Sequence, residues 1–154
     1  KATKLAAPKR GMITVAESCT GGLLAAILTD VEGCSRGFDR GFVTYTDDAK
    51  HEVLGVSREI LSRDGAVSPA AAIAMTAGAL GSSKGALALS ITGFAGPGGP
   101  GDEPGLVYFA LGWRNGLISV TTRRFGDVSR AAVRIGCLEV ATELLMRAMG
   151  GRQR

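Results

Sequence analysis

The 154 residues predict an α/β fold with a mixed, mostly parallel five-stranded sheet and one antiparallel hairpin. Three observations carry that expectation. Short apolar runs at 12–16, 41–46 and 86–91 alternate with longer runs of helical periodicity, the pattern of strands joined by helices. Asn115-Gly116 separates two further strand-like runs, 105–113 and 117–125, and marks a tight hairpin. The stretch 92–101 holds five glycines and two prolines and directly follows the apolar run 86–91. A loop in that position lies at the C-terminal edge of the sheet, where open α/β sheets bind ligands.

Taken in order, residues 1–11 are basic and short of large apolar groups, and read as a flexible arm or the remnant of a helix. Met12 to Ala16 is the first strand. Ala16-Glu17-Ser18-Cys19-Thr20-Gly21-Gly22 then forms a tight turn into a helix whose apolar residues Leu23, Leu24, Ile27, Leu28 and Val31 recur at helical spacing, with Gly33 ending it. The turn gathers a serine, a thiol, a threonine hydroxyl and two glycine N–H groups at one helix N-terminus, where unsatisfied donors and a partial positive charge favour an anion or a developing oxyanion. The same residues also suit a plain capped helix start, with Ser18 or Thr20 as the cap.

Gly41 to Thr46 reads as the second strand, and Asp47-Asp48 as the acidic first turn of a helix. Tyr45 thus ends a strand and Lys50 lies just past it, both able to face the sheet edge where the first turn lies. His51, the single histidine, reads as a surface helix residue. A short helix over Ser57 to Arg63 follows. Ser68-Pro69 starts an alanine-rich helix to about Leu80, with serine at the cap and proline in the first turn. Alanine lets that helix lie close to a sheet. Ala86 to Ile91 is a buried central strand, and the glycine-rich loop after it lacks the lysine and hydroxyl of a P-loop. The final helix, capped by Asp127 or Ser129, shows an apolar face at Cys137, Leu138, Ala141, Leu144, Leu145 and Ala148. Arg130 sits in its first turn, where a cation opposes the helix dipole and points to an anionic partner.

Composition narrows the function. The chain is long enough for one domain with a sizeable core, and 1–154 reads as a single unit. Aromatics make up 5%, which argues against base-stacking platforms and nucleic-acid binding, and the net charge of +4 suits a small anionic ligand. Three scattered cysteines fit neither a disulfide framework nor a zinc site, and point to a reducing, cytoplasmic setting. No metal site and no cofactor are expected, and no apolar run approaches the roughly 20 residues of a membrane span.

Several separated motifs then bear on identity: A-E-S-C-T-G-G at 16–22, G-x-V-T-Y-x-x-x-x-K at 41–50, L-G-V at 54–56, G-A-V-S at 65–68 and T-G-x-A-G-P-G-G at 92–99. In this order they closely resemble the C-terminal domain of the CinA family, over nearly the whole chain. The resemblance implies a three-layer α/β/α sandwich and a nicotinamide-nucleotide amidase, which hydrolyses the carboxamide of nicotinamide mononucleotide to nicotinate mononucleotide and ammonia. It implies Ser18 as nucleophile, Lys50 as its base and Tyr45 beside them. A serine hydroxyl needs a neighbour to take its proton, and a neutral lysine can do so where no histidine is available. Cys19, Thr20, Gly21 and Gly22 would lie against the substrate through turn N–H groups. Thr92, Gly93, Ala95, Gly96 and Gly98 would form the substrate loop, and Arg130 or Arg134 would meet the phosphate. A small nucleotide is the implied partner, with a homo-oligomer, dimer or higher, as the assembly.

One departure from the family pattern stands out. Asp102-Glu103-Pro104-Gly105 replaces the family's K-P-V-G, and acids facing the ligand would weaken its hold on a phosphate. On that ground a non-catalytic nucleotide-binding or regulatory domain is the alternative. A Cys19 thiol enzyme is a third possibility, set against the absence of a histidine at a motif position to activate the thiol.

Overall fold

The computed structural model describes residues 11–30 and 32–150; the expected arm at 1–11 lies almost wholly outside them, as does Val31. Five strands, β1 (Ile13–Glu17), β2 (Phe38–Val43), β3 (Leu87–Gly93), β4 (Leu106–Trp113) and β5 (Ile118–Arg124), form one sheet in the order β2-β1-β3-β4-β5. Five α-helices accompany them: α1 (Leu23–Thr29), α2 (Asp47–Leu54), α3 (Arg58–Arg63), α4 (Pro69–Gly81) and α5 (Arg130–Met149).

The sheet is fully buried at its centre, and side chains alternate between two cores as strand geometry requires. Ile13, Val15, Leu87, Leu89, Ile91, Val107 and Phe109 face α1 and α5, where Leu24, Leu28, Val133, Cys137 and Leu145 meet them. Ala16 and Ala88 face the other way, onto Leu54, Val56, Leu61, Met75 and Leu80 of the α2–α4 side. The fold is therefore a three-layer α/β/α sandwich with a mixed sheet. On the α4 side a buried polar seam is fully paired: Thr76 Oγ1 donates to Ala110 O at 2.9 Å, and Ser90 Oγ donates to Ala72 O at 2.7 Å. Gly78 allows α4 to lie against α2, since a Cβ there would stand 1.9 Å from Leu54 O.

Two details differ from the sequence reading. The antiparallel part is larger than the one hairpin at 114–116. β1 pairs in parallel with β2 and β3, but β3–β4 is antiparallel as well as β4–β5, so β4 alone runs against the other four strands. The chain between β3 and β4 contains no helix to carry a parallel crossover. It closes as a long hairpin loop instead, with Phe94 N donating to Leu106 O and Gly105 N to Phe94 O, each at 2.9 Å. The second strand also runs from Phe38 to Val43 rather than from Gly41 to Thr46. Thr44 N still donates to Glu17 O at 2.8 Å, but Thr46 has already turned to cap α2, its hydroxyl accepting from Ala49 N.

Candidate active site

β1 delivers the Ser18 turn to the C-terminal edge of the sheet. Ser18 N donates to Ile91 O at 3.0 Å, which ties the turn to β3. Gly21 and Gly22 follow with φ of 60° and 95°, a left-handed path that glycine takes at little cost. The cap of α1 is neither Ser18 nor Thr20 but Gly22, which offers no side chain.

Glu17 supplies the missing acceptor. Its fully buried carboxylate accepts from Thr20 Oγ1 at 2.6 Å, from Gly22 N and Leu24 N at 3.1 Å, and from Ala25 N at 2.8 Å. The free donors of the helix N-terminus are thus taken by an internal anion, placed where the helix dipole favours one. Of the turn N–H groups expected to serve a ligand, that of Gly22 is held by Glu17 and that of Gly21 by Ser18 O at 3.1 Å. Those of Cys19 and Thr20 donate to no other residue among the described hydrogen bonds.

Lys50 comes from α2 on the opposite side of β1. Only 1% of it is exposed. Its Nζ lies 3.1 Å from Ser18 Oγ, 3.1 Å from Thr44 O and 2.9 Å from Tyr45 O. Burial pushes its pKa below the ordinary lysine value; the charges of Asp47 and Cys19 oppose that shift. Carbonyls only accept, so an uncharged Nζ spends its two N–H groups on Thr44 and Tyr45 and turns its lone pair to the Ser18 hydroxyl.

A cavity of about 220 Å³ opens at this point. Of the residues singled out in the sequence, Ser18, Cys19, Tyr45, Lys50, Thr92, Gly93, Ala95 and Arg130 line it. Thr20, Gly21, Gly22, Gly96, Gly98 and Arg134 do not. Thr20 is fully buried with its hydroxyl on Glu17. Arg134 Nη2 donates to Thr20 O at 3.0 Å. The Thr92 hydroxyl donates to Ala66 O at 2.7 Å and so holds the 65–67 loop at the pocket wall. Ala66, Val67 and Phe94 also line the cavity and were not assigned from sequence, although G-A-V-S and T-G-F-A contain them.

At the rim, Tyr45 is 59% exposed and its hydroxyl accepts from Arg130 Nη2 at 3.1 Å. Neither Asp102 nor Glu103 lines the pocket. Asp102 Oδ2 accepts from Gly99 N at 2.6 Å and folds the loop on itself, while Glu103 pairs with Arg124 at 2.9 Å. The acidic substitution is therefore spent outside the pocket.

Cys19 and Cys137 lie side by side under the site, and both thiols are free. The thiol–thiol hydrogen bond lowers the Cys19 pKa, helped by its own N–H and by Arg130 and opposed by burial and Glu17. The same bond and burial push Cys137 upward. His51, half-buried, bonds through Nδ1 to Val56 O at 2.8 Å and steadies the end of α2. Among the described residues no group of three or more His, Cys, Asp or Glu is placed to hold a metal ion, and no helix is long and apolar enough to cross a membrane.

A serine turn at the edge of a three-layer α/β/α domain, facing a buried amine across a small pocket, defines a compact ligand-handling α/β protein. The chain belongs to the CinA C-terminal domain family, whose model matches residues 1–149. It is 43% identical over 138 residues to nicotinamide-nucleotide amidohydrolase PncC of Enterobacter agglomerans, covering 88% of this chain and 83% of that one. It is 44% identical over 124 residues to nicotinamide-nucleotide amidohydrolase PncC of Escherichia coli strain K12, covering 79% and 74%. Among solved structures it resembles the competence/damage inducible protein CihA of Agrobacterium tumefaciens, with a TM-score of 0.86 and 45% identity over 90% of this chain and 85% of that one.

Proposed function

We propose that this protein is a nicotinamide-nucleotide amidohydrolase that cleaves the carboxamide of nicotinamide mononucleotide through an acyl-enzyme on Ser18. The observation that carries the reading is the 3.1 Å approach of buried Lys50 Nζ to Ser18 Oγ inside a pocket. The names of the PncC relatives supply the substrate class.

In this reading neutral Lys50 takes the Ser18 proton as Oγ bonds to the carboxamide carbon. The oxygen that becomes negative is met by the Cys19 N–H. The tetrahedral adduct collapses, the C–N bond breaks, and the leaving nitrogen departs as ammonia with the proton that Lys50 took, passed directly or relayed by the Tyr45 hydroxyl, so that Lys50 is neutral again. Water then attacks the Ser18 ester with Lys50 again as base, releasing the carboxylate and restoring Ser18. Arg130 stands at the rim, where it meets the substrate phosphate. At about 220 Å³ the cavity is below the ~300–1,000 Å³ of pockets for drug-sized ligands, so it encloses the reacting ring while the ribose phosphate extends to the rim. Three free thiols support a reducing, cytoplasmic setting.

Ammonia release from nicotinamide mononucleotide by the wild type and by Ser18→Ala tests the proposal. Release by the first and not the second is the expected result. A folded wild type that releases none removes the substrate assignment.

A further inference from the structure

Helix α5 braces the nucleophile turn from outside the pocket, and the brace ends at the N–H beside the nucleophile. Arg134 Nη2 donates to Thr20 O. The peptide group carrying that oxygen also carries the Gly21 N–H, which donates to Ser18 O at 3.1 Å. The peptide group carrying the Ser18 oxygen carries the Cys19 N–H in turn. Cys19 lines the pocket, and this N–H donates to no other residue among the described hydrogen bonds. A guanidinium and two peptide groups thus stand head to tail, and the last donor, the Cys19 N–H, lies at the site with only its own thiol beside it.

We propose that Arg134 is a positioning residue for the hydrolysis, orienting and polarising the Cys19 N–H toward the developing oxyanion. The inference rests on the amidase reading of Ser18. Hydrogen bonds in series polarise one another, by about 10–30% per bond, and a charged first donor strengthens the series. The need for a brace is local. Gly21 and Gly22 follow a left-handed path and contribute no side chain to hold it. Glu17 fixes the helix side of the turn, and Thr20 O, which accepts from Leu23 N at 3.2 Å, is held a second time from α5. Arg134 Nε is buried and pairs with nothing among the described residues, so the hydrogen bond to Thr20 is the polar contact that its position serves. Arg130, one turn earlier on the same helix, lines the pocket; Arg134 does not.

The test is steady-state hydrolysis of nicotinamide mononucleotide by wild type, Arg134→Lys and Arg134→Met, with thermal melting of each and the affinity of each for nicotinate mononucleotide. Arg134→Met is expected to lose kcat by ~10–100-fold, approaching the loss of one oxyanion donor, with KM and product affinity nearly unchanged. Arg134→Lys, which keeps a charged donor, is expected to recover most of that loss. An undiminished kcat in Arg134→Met overturns the inference. So does a raised KM at constant kcat, which marks a direct substrate contact. A kcat loss that follows a lowered melting temperature without recovery by lysine leaves only a structural brace and overturns it too. Where Arg134→Met does not fold, Arg134→Gln replaces it, and equal kcat in the Gln and Lys variants removes the role of the charge. A wild type that releases no ammonia removes the amidase reading itself, whereas turnover by wild type with undiminished Arg134→Met removes this inference alone.

Discussion

Lys50 Nζ meets Ser18 Oγ at 3.1 Å while giving its other two directions to the carbonyls of Thr44 and Tyr45. The two residues are 32 positions apart in sequence and come from different places, the turn after β1 and helix α2. The amine is thus held by backbone that a side-chain substitution leaves in place. Lys50→Met is expected to lower kcat by at least about 10³-fold, since the proton of Ser18 then has no acceptor. Ammonia release together with a melting curve checks that the loss is chemical.

Protonated Lys50 cannot act as a base, so activity is expected to rise with pH along one limb. Because burial lowers the Lys50 pKa, the midpoint of that limb falls below 10.5. The stability effect has the same sign. Between the folded value and the ordinary one the unfolded chain binds the extra proton, so this group makes stability rise with pH through that interval. A pH profile of kcat/KM and urea midpoints at several pH values below 10.5 measure both.

Glu17→Ala leaves one hydroxyl and three N–H groups at the start of α1 without their acceptor. The expected cost is about 2–4 kcal/mol, read from urea denaturation, since the loss of a buried acceptor leaves its donors desolvated and unpaired.

Glu103→Ala is expected to change little. Its partner Arg124 is 62% exposed, and such surface pairs contribute under about 1 kcal/mol. Because Glu103 does not line the pocket, KM for nicotinamide mononucleotide is expected to hold in a direct assay.

Gly78→Ala is expected to destabilise by about 3 kcal/mol or more, because its methyl group would overlap Leu54 O and force α2 away from α4. α2 carries Lys50, so the same variant is expected to lose activity before it loses structure on warming. Parallel thermal inactivation and melting separate the two.

All five strands, the second displaced by three residues, and the meeting of Ser18, Tyr45, Lys50 and the start of the glycine loop at one sheet edge were legible in the sequence, and the layers followed from the family resemblance. Period-2 and helical patterns are local, and the motifs lie at strand ends. What could not be read was who satisfies whom. A serine turn opening a helix looks like an anion site until Glu17, one residue earlier, is seen to occupy it. The signal was there: a carboxylate at the end of a fully buried strand, next to a helix N-terminus. The direction of β4 turned on whether 94–105 carries a crossover, and its glycines and prolines show only that it is not a helix. Arg130 and Arg134 were interchangeable on paper. Four residues apart, one lines the pocket and the other is spent on a backbone carbonyl, a difference that only the packing of α5 decides.

The hydrogen bond from Arg134 to Thr20 closes a loop of 114 residues, and Arg130 reaches Tyr45 across 85. Contacts of such separation close longer loops and cost more chain entropy than local ones. β1 and α2 can bring serine and lysine together from the first third of the sequence, yet the last helix completes their surroundings. The surroundings of Ser18 and Lys50 therefore depend on a helix from the far end of the described chain, so substitutions that loosen the docking of α5 reach the pocket without touching either residue.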